Sequence, residues 1–166
     1  MTARILVAYA TKKGSTAEIA GAIGKELQSL GHEVTVKEMK EVMALEKYDG
    51  IVLGAPVYMG KMIGIGKFVK RFRERLAAKP VAVFAVGTAP VSHDQKQIDD
   101  ETRLPSASVA PQQPASTALF AGVVDPEKFG FFMRKMVGAE KSMVGDFRDW
   151  EAIAAWARDL PGKMGL

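Results

Sequence analysis

Four stretches of the chain are apolar almost without interruption: "RILVAY" at 4–9, "GIVLGAPV" at 50–57, "PVAVFAV" at 80–86 and "STALFAGVV" at 116–124. None alternates polar with apolar residues. Runs of this length, rich in Val and Ile, predict parallel strands buried on both faces. A fifth stretch, "HEVTVKEM" at 32–39, does alternate: Val34, Val36 and Glu38 lie against Glu33, Thr35 and Lys37. That pattern suits an edge strand.

Helical stripes fall between these runs. Ile19, Ile23, Leu27 and Leu30 form the first, with Gly31 placed to end it and Ser15 and Glu18 at capping-box spacing. Phe68, Val69, Phe72 and Leu76 form the second, opposite Lys67, Lys70, Arg71, Arg73 and Arg75. This basic face reads as solvent or as a docking surface. Near the C-terminus, Asp149 is placed to cap a helix carrying Ile153, Trp156 and Leu160. The stretch 87–115 is polar and turns Pro-rich, which predicts a short helix near 93–103 and then a loop. The stretch 125–147 is amphipathic through Phe129, Phe132, Met133 and Met136. It lies where a simple five-strand fold would pass directly to its last helix. Its apolar face suits a membrane, quinone or porphyrin contact, or cover for the sheet or a dimer. Strands alternating with helices predict an α/β fold with a parallel sheet. The chain shows no repeat or linker, so a single domain over 1–166 is expected.

Composition narrows the chemistry. Without cysteine there is no disulfide framework and no thiolate metal site. No His–Glu pairing or carboxylate cluster has ligand spacing, so no metal is expected. No apolar run approaches the roughly 20 residues of a membrane span. The N-terminus also lacks a signal-peptide layout, which makes a cytoplasmic location the expectation. The net charge of +4 favours anionic partners only modestly.

The chemistry-bearing stretch is "ATKKGST" at 10–16, set between the first strand and the first helix. Such a junction offers unpaired N–H groups and the positive end of a helix dipole, a place for phosphate. Gly14 allows close backbone approach, and Thr11, Ser15 and Thr16 add hydroxyls. The spacing is neither a Walker A loop nor G-x-G-x-x-G, which disfavours nucleoside triphosphates and NAD. Ser15 as a plain helix cap is the bland alternative. In an open α/β sheet, ligands sit beyond the C-terminal strand ends. "APVYMGKM" at 55–62 and "GTAPVSH" at 87–93 follow the third and fourth strands of the predicted sheet and stand beside the phosphate loop. One loop for a phosphate and two for a flat ring describe a flavin mononucleotide (FMN) site. Tyr58 reads as a stacking residue, Met59 and Met62 equally as packing. His93 is a candidate proton donor or plain surface, and His32, far from the site, is surface.

"AYATKKGSTAEIAGAIGKEL" followed by "YDGIVLGAPVYMGK" resembles the flavodoxin superfamily. "KFVKRFRERL", "LFAGVV", "FFMRKMVG" and "DWEAIAAWARDL" resemble its branch of menaquinone-linked protoporphyrinogen IX dehydrogenases. The resemblance implies a three-layer α/β/α sandwich with five parallel strands in the order 2-1-3-4-5. It implies non-covalent FMN, with Thr11, Lys12, Lys13, Gly14, Ser15 and Thr16 around the phosphate. Pro56, Val57, Tyr58, Met59, Gly60 and Lys61 would line one side of the ring, and Gly87, Thr88, Ala89 and Pro90 the other. The flavin would carry the chemistry, so no catalytic acid, base or nucleophile is expected. Two functions follow. One passes electrons from a reduced organic substrate through FMN to a quinone. The other is an electron carrier between redox proteins. The ring loops lack the Trp and acidic pair of many carriers, and the chain is basic where carriers are acidic, which favours the first. The expected partners are a quinone or a redox protein, with peripheral membrane contact and a homodimer left open and no nucleic acid.

Overall fold

The computed structural model describes residues 2–11, 14–92, 94–124 and 145–166. The segment 125–144, with Phe129, Phe132, Met133 and Met136, lies outside the described residues, as do Lys12, Lys13 and His93.

Five long strands form one parallel sheet: β1 (Arg4–Tyr9), β2 (Glu33–Glu38), β3 (Gly50–Tyr58), β5 (Val81–Gly87) and β6 (Ser116–Ala121). Their order is β2-β1-β3-β5-β6, which is 2-1-3-4-5 when the long strands alone are counted. A two-residue strand, β4 (Lys61–Met62), pairs antiparallel with the end of β3. The helices are α1 (Ser15–Ser29), α2 (Ile65–Ala77), α3 (Ala89–Ser92), α4 (Gln95–Val109) and α5 (Trp150–Met164). A separate hairpin pairs β7 (Val123–Val124) with β8 (Gly145–Asp146).

The uninterrupted apolar runs follow from burial on both sheet faces. On β1, Ile5 and Val7 face a core shared with Ile19, Ile23 and Leu27 of α1 and Ile153 and Leu160 of α5. Leu6 and Ala8 face the other core, with Phe68, Val69, Phe72 and Leu76 of α2. Alternate residues therefore feed two cores, and the chain forms three layers. The stripe on α2 leaves its basic face outward. Asp149 caps α5 by accepting the Ala152 N–H at 3.0 Å. The edge assignment of β2 holds.

Four local expectations are corrected. β6 is an edge strand on which only Phe120 is buried, and the run at 116–124 breaks at Gly122 before the small hairpin. The helix expected near 93–103 continues to Val109 through Pro105. Glu101, Pro105 and Val109 are its buried residues, spaced by four, so the face turned inward carries the helix past the proline. Ser15 is the first residue of α1 rather than its cap; Gly14 occupies that position and no side chain caps the helix. Finally, His32 is half-buried, and its Nδ1 accepts the Ala3 N–H at 3.0 Å, tying the start of β1 to the loop before β2.

The end of α1 shows why Gly31 is needed. Its φ of +94° is in the left-handed region, which lets its N–H reach the Gln28 carbonyl at 2.9 Å while His32 N–H reaches Leu27.

Arg148 fastens the small hairpin to α1. Its guanidinium donates to both carboxylate oxygens of Asp146, at 2.9 and 2.7 Å, and to Glu18 in the first turn of α1. Glu18 is thus engaged across the fold rather than in a capping box. The guanidinium also lies 4.7 Å from the Trp150 ring centre. Hydrogen bonds from Arg148 hold the Asp146 carboxyl at a pKa of about 2. A depressed carboxylate contributes stability above its ordinary range near 4 that is lost as pH falls toward 2. Acid titration of Asp146→Asn should therefore show a shallower loss of melting temperature between about pH 4 and about pH 2 than the parent. The Asp146 side chain is 49% exposed, so 1 M salt should shrink the difference.

Candidate functional site

The C-terminal ends of β1, β3 and β5 meet on one edge of the sheet, and three contacts draw their loops together. Ala10 N–H donates to the Gly54 carbonyl at 2.9 Å, which ties the 10–16 loop to β3. Gly64, at the start of α2, packs so closely on Ala10 that a Cβ there would lie 2.8 Å from the Ala10 methyl. A Cβ on Gly87 would lie 3.4 Å from Cβ of Val57, so the ends of β3 and β5 lie side by side where the second and third loops begin. At the far side, Ser15 Oγ lies 3.3 Å from where a Cβ of Gly122 would be, placing the start of α1 beside the end of β6.

The 10–16 loop has the features of an anion cradle. Gly14 has φ +96° and ψ −23°. Its N–H donates to Thr11 Oγ1 at 2.9 Å, which closes the loop on itself. The first-turn N–H groups of a helix have no partner within the helix, and α1 offers them no capping side chain. The helix dipole adds partial positive charge there. Thr11 and Ser15 are half-buried and Gly14 is exposed, while Thr16 is buried.

The second loop is a hairpin. Val57 pairs with Met62 and Tyr58 with Lys61, leaving Met59 and Gly60 as a two-residue turn. Both have positive φ, +51° and +76°, as a type I′ turn requires. Met59 is thus a non-glycine residue in the left-handed region with its side chain 83% exposed, away from any packing role. Replacing it by Asn, which suits this turn, should raise the melting temperature by roughly 2–4 °C per kcal/mol of relieved strain. Thermal unfolding of Met59→Asn measures this, and a lower melting temperature would show that Met59 packs. Tyr58 is half-buried, and burial raises its phenol pKa.

The third loop, expected to be a turn, winds into α3, with Pro90 in the first turn where its missing N–H costs nothing. Gly87 and Ala89 are buried, Thr88 is half-buried and Pro90 is exposed.

Of the expected site residues, Thr11, Gly14, Ser15, Val57, Tyr58, Met59, Gly60, Lys61, Thr88 and Pro90 all have accessible surface on this edge. Thr16, Pro56, Gly87 and Ala89 are buried and shape the edge from behind. The Pro56 carbonyl, for instance, accepts the Ile63 N–H at 2.9 Å.

Two residues escaped the sequence reading. Glu101 is only 6% exposed, and its Oε1 accepts the Ala89 N–H at 3.4 Å. Gln97 Nε2 donates to Glu101 Oε2 at 3.1 Å and to Thr88 Oγ1 at 3.3 Å. The only trace in the sequence is spacing, since Glu101 lies four residues before Pro105 and eight before Val109 on the buried stripe.

Next to the start of the 10–16 loop, a cavity of about 410 Å³ opens between the ends of β1 and β2 and helix α2. Tyr9, Met39 and Phe68 line it together with Lys67 and Arg71. Among the described residues, no group of acidic or histidine side chains is placed to hold a metal ion, and no helix is long and apolar enough to cross a membrane.

Residues 6–150 of the chain match the model of a known family, described as the flavodoxin domain. The chain belongs to the flavodoxin domain family. Its relatives include protoporphyrinogen IX dehydrogenase (quinone) of Escherichia coli strain K12, which is 25% identical over 170 residues. The alignment covers 95% of this chain and 94% of that protein. Among solved structures, a Streptococcus pneumonia TIGR4 flavodoxin is similar with a TM-score of 0.57 and 21% identity, covering 97% of this chain and 99% of that one. Flavodoxin 2 of Bacillus cereus is similar with a TM-score of 0.54 and 24% identity, again covering 97% and 99%. These two likenesses show the flavodoxin fold alone.

Proposed function

We propose that this flavodoxin-family chain holds FMN non-covalently on the edge formed by its three loops. We further propose that it works as an oxidoreductase of the protoporphyrinogen dehydrogenase type, with a quinone as electron acceptor. The observation that carries the reading is an uncapped α1 N-terminus at Gly14 beside the adjoining ends of β3 and β5, at Val57 and Gly87, where two further loops begin. The near-complete coverage of both this chain and the Escherichia coli dehydrogenase supports the quinone-linked form.

The residues present fit such a group. Ser15 and Thr16 offer main-chain N–H groups to a phosphate, with hydroxyls of Thr11 and Ser15 at the rim. Lys12 and Lys13 add charge in this loop by sequence. Tyr58 and the Met59–Gly60 turn would wall one side of the ring, and the 87–90 backbone the other. When bound, the flavin supplies electron transfer, which no side chain here provides. The protein orients it, excludes water through Val57 and Tyr58, and sets the charge around it.

Ser15→Ala should weaken FMN by roughly 5- to 30-fold, the equivalent of about 1–2 kcal/mol for one hydroxyl contact. Fluorescence quenching of FMN measures it, and full affinity would remove that hydroxyl from the phosphate site. Lys61→Glu replaces a cation beside the ring hairpin by an anion. It should lower the reduction potential of the bound flavin, since reduction adds negative charge. A spectroelectrochemical titration at low and high salt tests this, and an unmoved potential would place Lys61 away from the ring. The quinone-linked function is tested by single-turnover mixing of the FMN-loaded protein with protoporphyrinogen and menadione. Oxidation of the porphyrinogen at a flavin-dependent rate is expected. No reaction with bound flavin present would leave the electron-carrier function in its place.

A further inference from the structure

We infer that Glu101 is a positioning residue for the 87–90 loop, acting through Gln97 to make the Thr88 hydroxyl a hydrogen-bond donor at the site edge. This inference rests on the reading that this loop lines the flavin ring.

The observation is a buried carboxylate in an unusual place. Glu101 lies beneath the loop, so close to Gly87 that a Cβ there would sit 2.2 Å from its Oε1. Among the described residues no ion pair reaches it. Its partners are neutral donors, the Ala89 N–H and the Gln97 amide. A carboxylate so buried carries a desolvation cost that an apolar residue would avoid. What it offers in return is polarity, because both of its oxygens accept, Oε1 from the Ala89 N–H and Oε2 from the Gln97 amide.

That property propagates. Facing an acceptor-only group, the Gln97 side chain must present its NH2 rather than its oxygen. The same NH2 reaches Thr88 Oγ1, which must therefore accept. The Thr88 hydroxyl proton is then directed away from Gln97. Thr88 is half-buried at the site edge, so its proton is available to an acceptor on a bound ring. A Gln at position 101 could donate as well as accept. Gln97 could then turn over and Thr88 could spend its proton on the Gln97 oxygen. The accepting oxygens of Glu101 thus decide which way the hydroxyl points, without touching the ligand.

The test is a double-mutant cycle read by FMN titration. The parent is titrated first, then Glu101→Gln, Thr88→Val and the double variant. Each single change should weaken FMN about fivefold, the size of one neutral hydrogen bond. If Glu101 acts through Thr88, the double variant should also be about fivefold weaker rather than about twenty-five-fold. A merely structural role for Glu101 would leave its effect undiminished in the Thr88→Val background. Affinity unchanged in Glu101→Gln, or losses that multiply in the double variant, would overturn the inference while the flavin reading stands. A parent that binds no FMN would overturn both. Should Glu101→Gln fail to fold, Gln97→Met breaks the same chain at a half-buried position. It is expected to cost about fivefold alone and nothing further in the Thr88→Val background. Independent losses there would overturn the inference equally.

Discussion

Gly14→Val is expected to weaken FMN binding by roughly 10- to 100-fold while leaving the fold intact. A Cβ at position 14 meets nothing within 4 Å, so the cost is not a collision. It lies in the backbone, because φ is +96°, a conformation that a β-branched residue resists. Strain of this kind is worth about 1–3 kcal/mol. The exposed loop can shed it by moving, but the movement carries away the N–H groups of Ser15 and Thr16. Affinity is therefore lost in place of stability. Gly14→Ala should fall between the two proteins, since Ala resists left-handed geometry less than Val. Fluorescence titration with FMN, alongside thermal unfolding, separates the effects. Full affinity in Gly14→Val would mean that the anion binds elsewhere.

Gly54→Ala is expected to be the most damaging small change to stability. Gly54 lies in β3, and a Cβ there would sit 2.0 Å from Cζ of Phe84 and 2.3 Å from Cε1. Phe84 is fully buried and hemmed in by Phe120 and Trp156, with ring centres 6.0 Å from each. Turning away from a new Cβ presses the ring toward these neighbours. Overpacking of this kind costs about 1–3 kcal/mol. At 2–4 °C per kcal/mol, that is a fall of roughly 2–12 °C in melting temperature. The Gly54 carbonyl also receives the Ala10 N–H, so the distortion should reach the phosphate loop and weaken FMN as well. Adding Phe84→Leu to Gly54→Ala should recover part of the loss by making room. Circular dichroism melts of the three variants check this. An unchanged melting temperature in Gly54→Ala would mean that β3 shifts freely.

The central strands were legible because burial on both faces leaves an uninterrupted apolar run, as in β1, β3 and β5. Their order followed from the resemblance, not from the runs. β6 misled because "STALFAGVV" reads like the others, although an edge position leaves only Phe120 buried. α4 was cut short because a proline reads as a stop. The inward stripe of Glu101, Pro105 and Val109 overrides that local signal. The cap of α1 was assigned to Ser15 because hydroxyl residues cap helices commonly; the left-handed Gly14 took the place instead.

At the site, the loops were legible from their positions after the strands, and the structure brings the described parts of all three to one edge. What each residue does there was less legible. Pro56, Gly87 and Ala89, expected along the ring, are buried, as is Thr16, expected at the phosphate. The strain at Met59 depends on hairpin register, which residue types alone do not set. Glu101 drew no reading from the sequence at all. Its role depends on α4 packing beneath a loop some twelve residues earlier, a contact made only by the folded chain.

The central claim is that the three loops together hold FMN. Purified protein, stripped of any flavin, would be mixed with FMN, passed through gel filtration and read by visible absorption and flavin fluorescence. The account predicts a yellow protein carrying one FMN per chain, with the flavin fluorescence quenched on binding. Protein that emerges folded and colourless, with all the FMN in the small-molecule fraction, would contradict it.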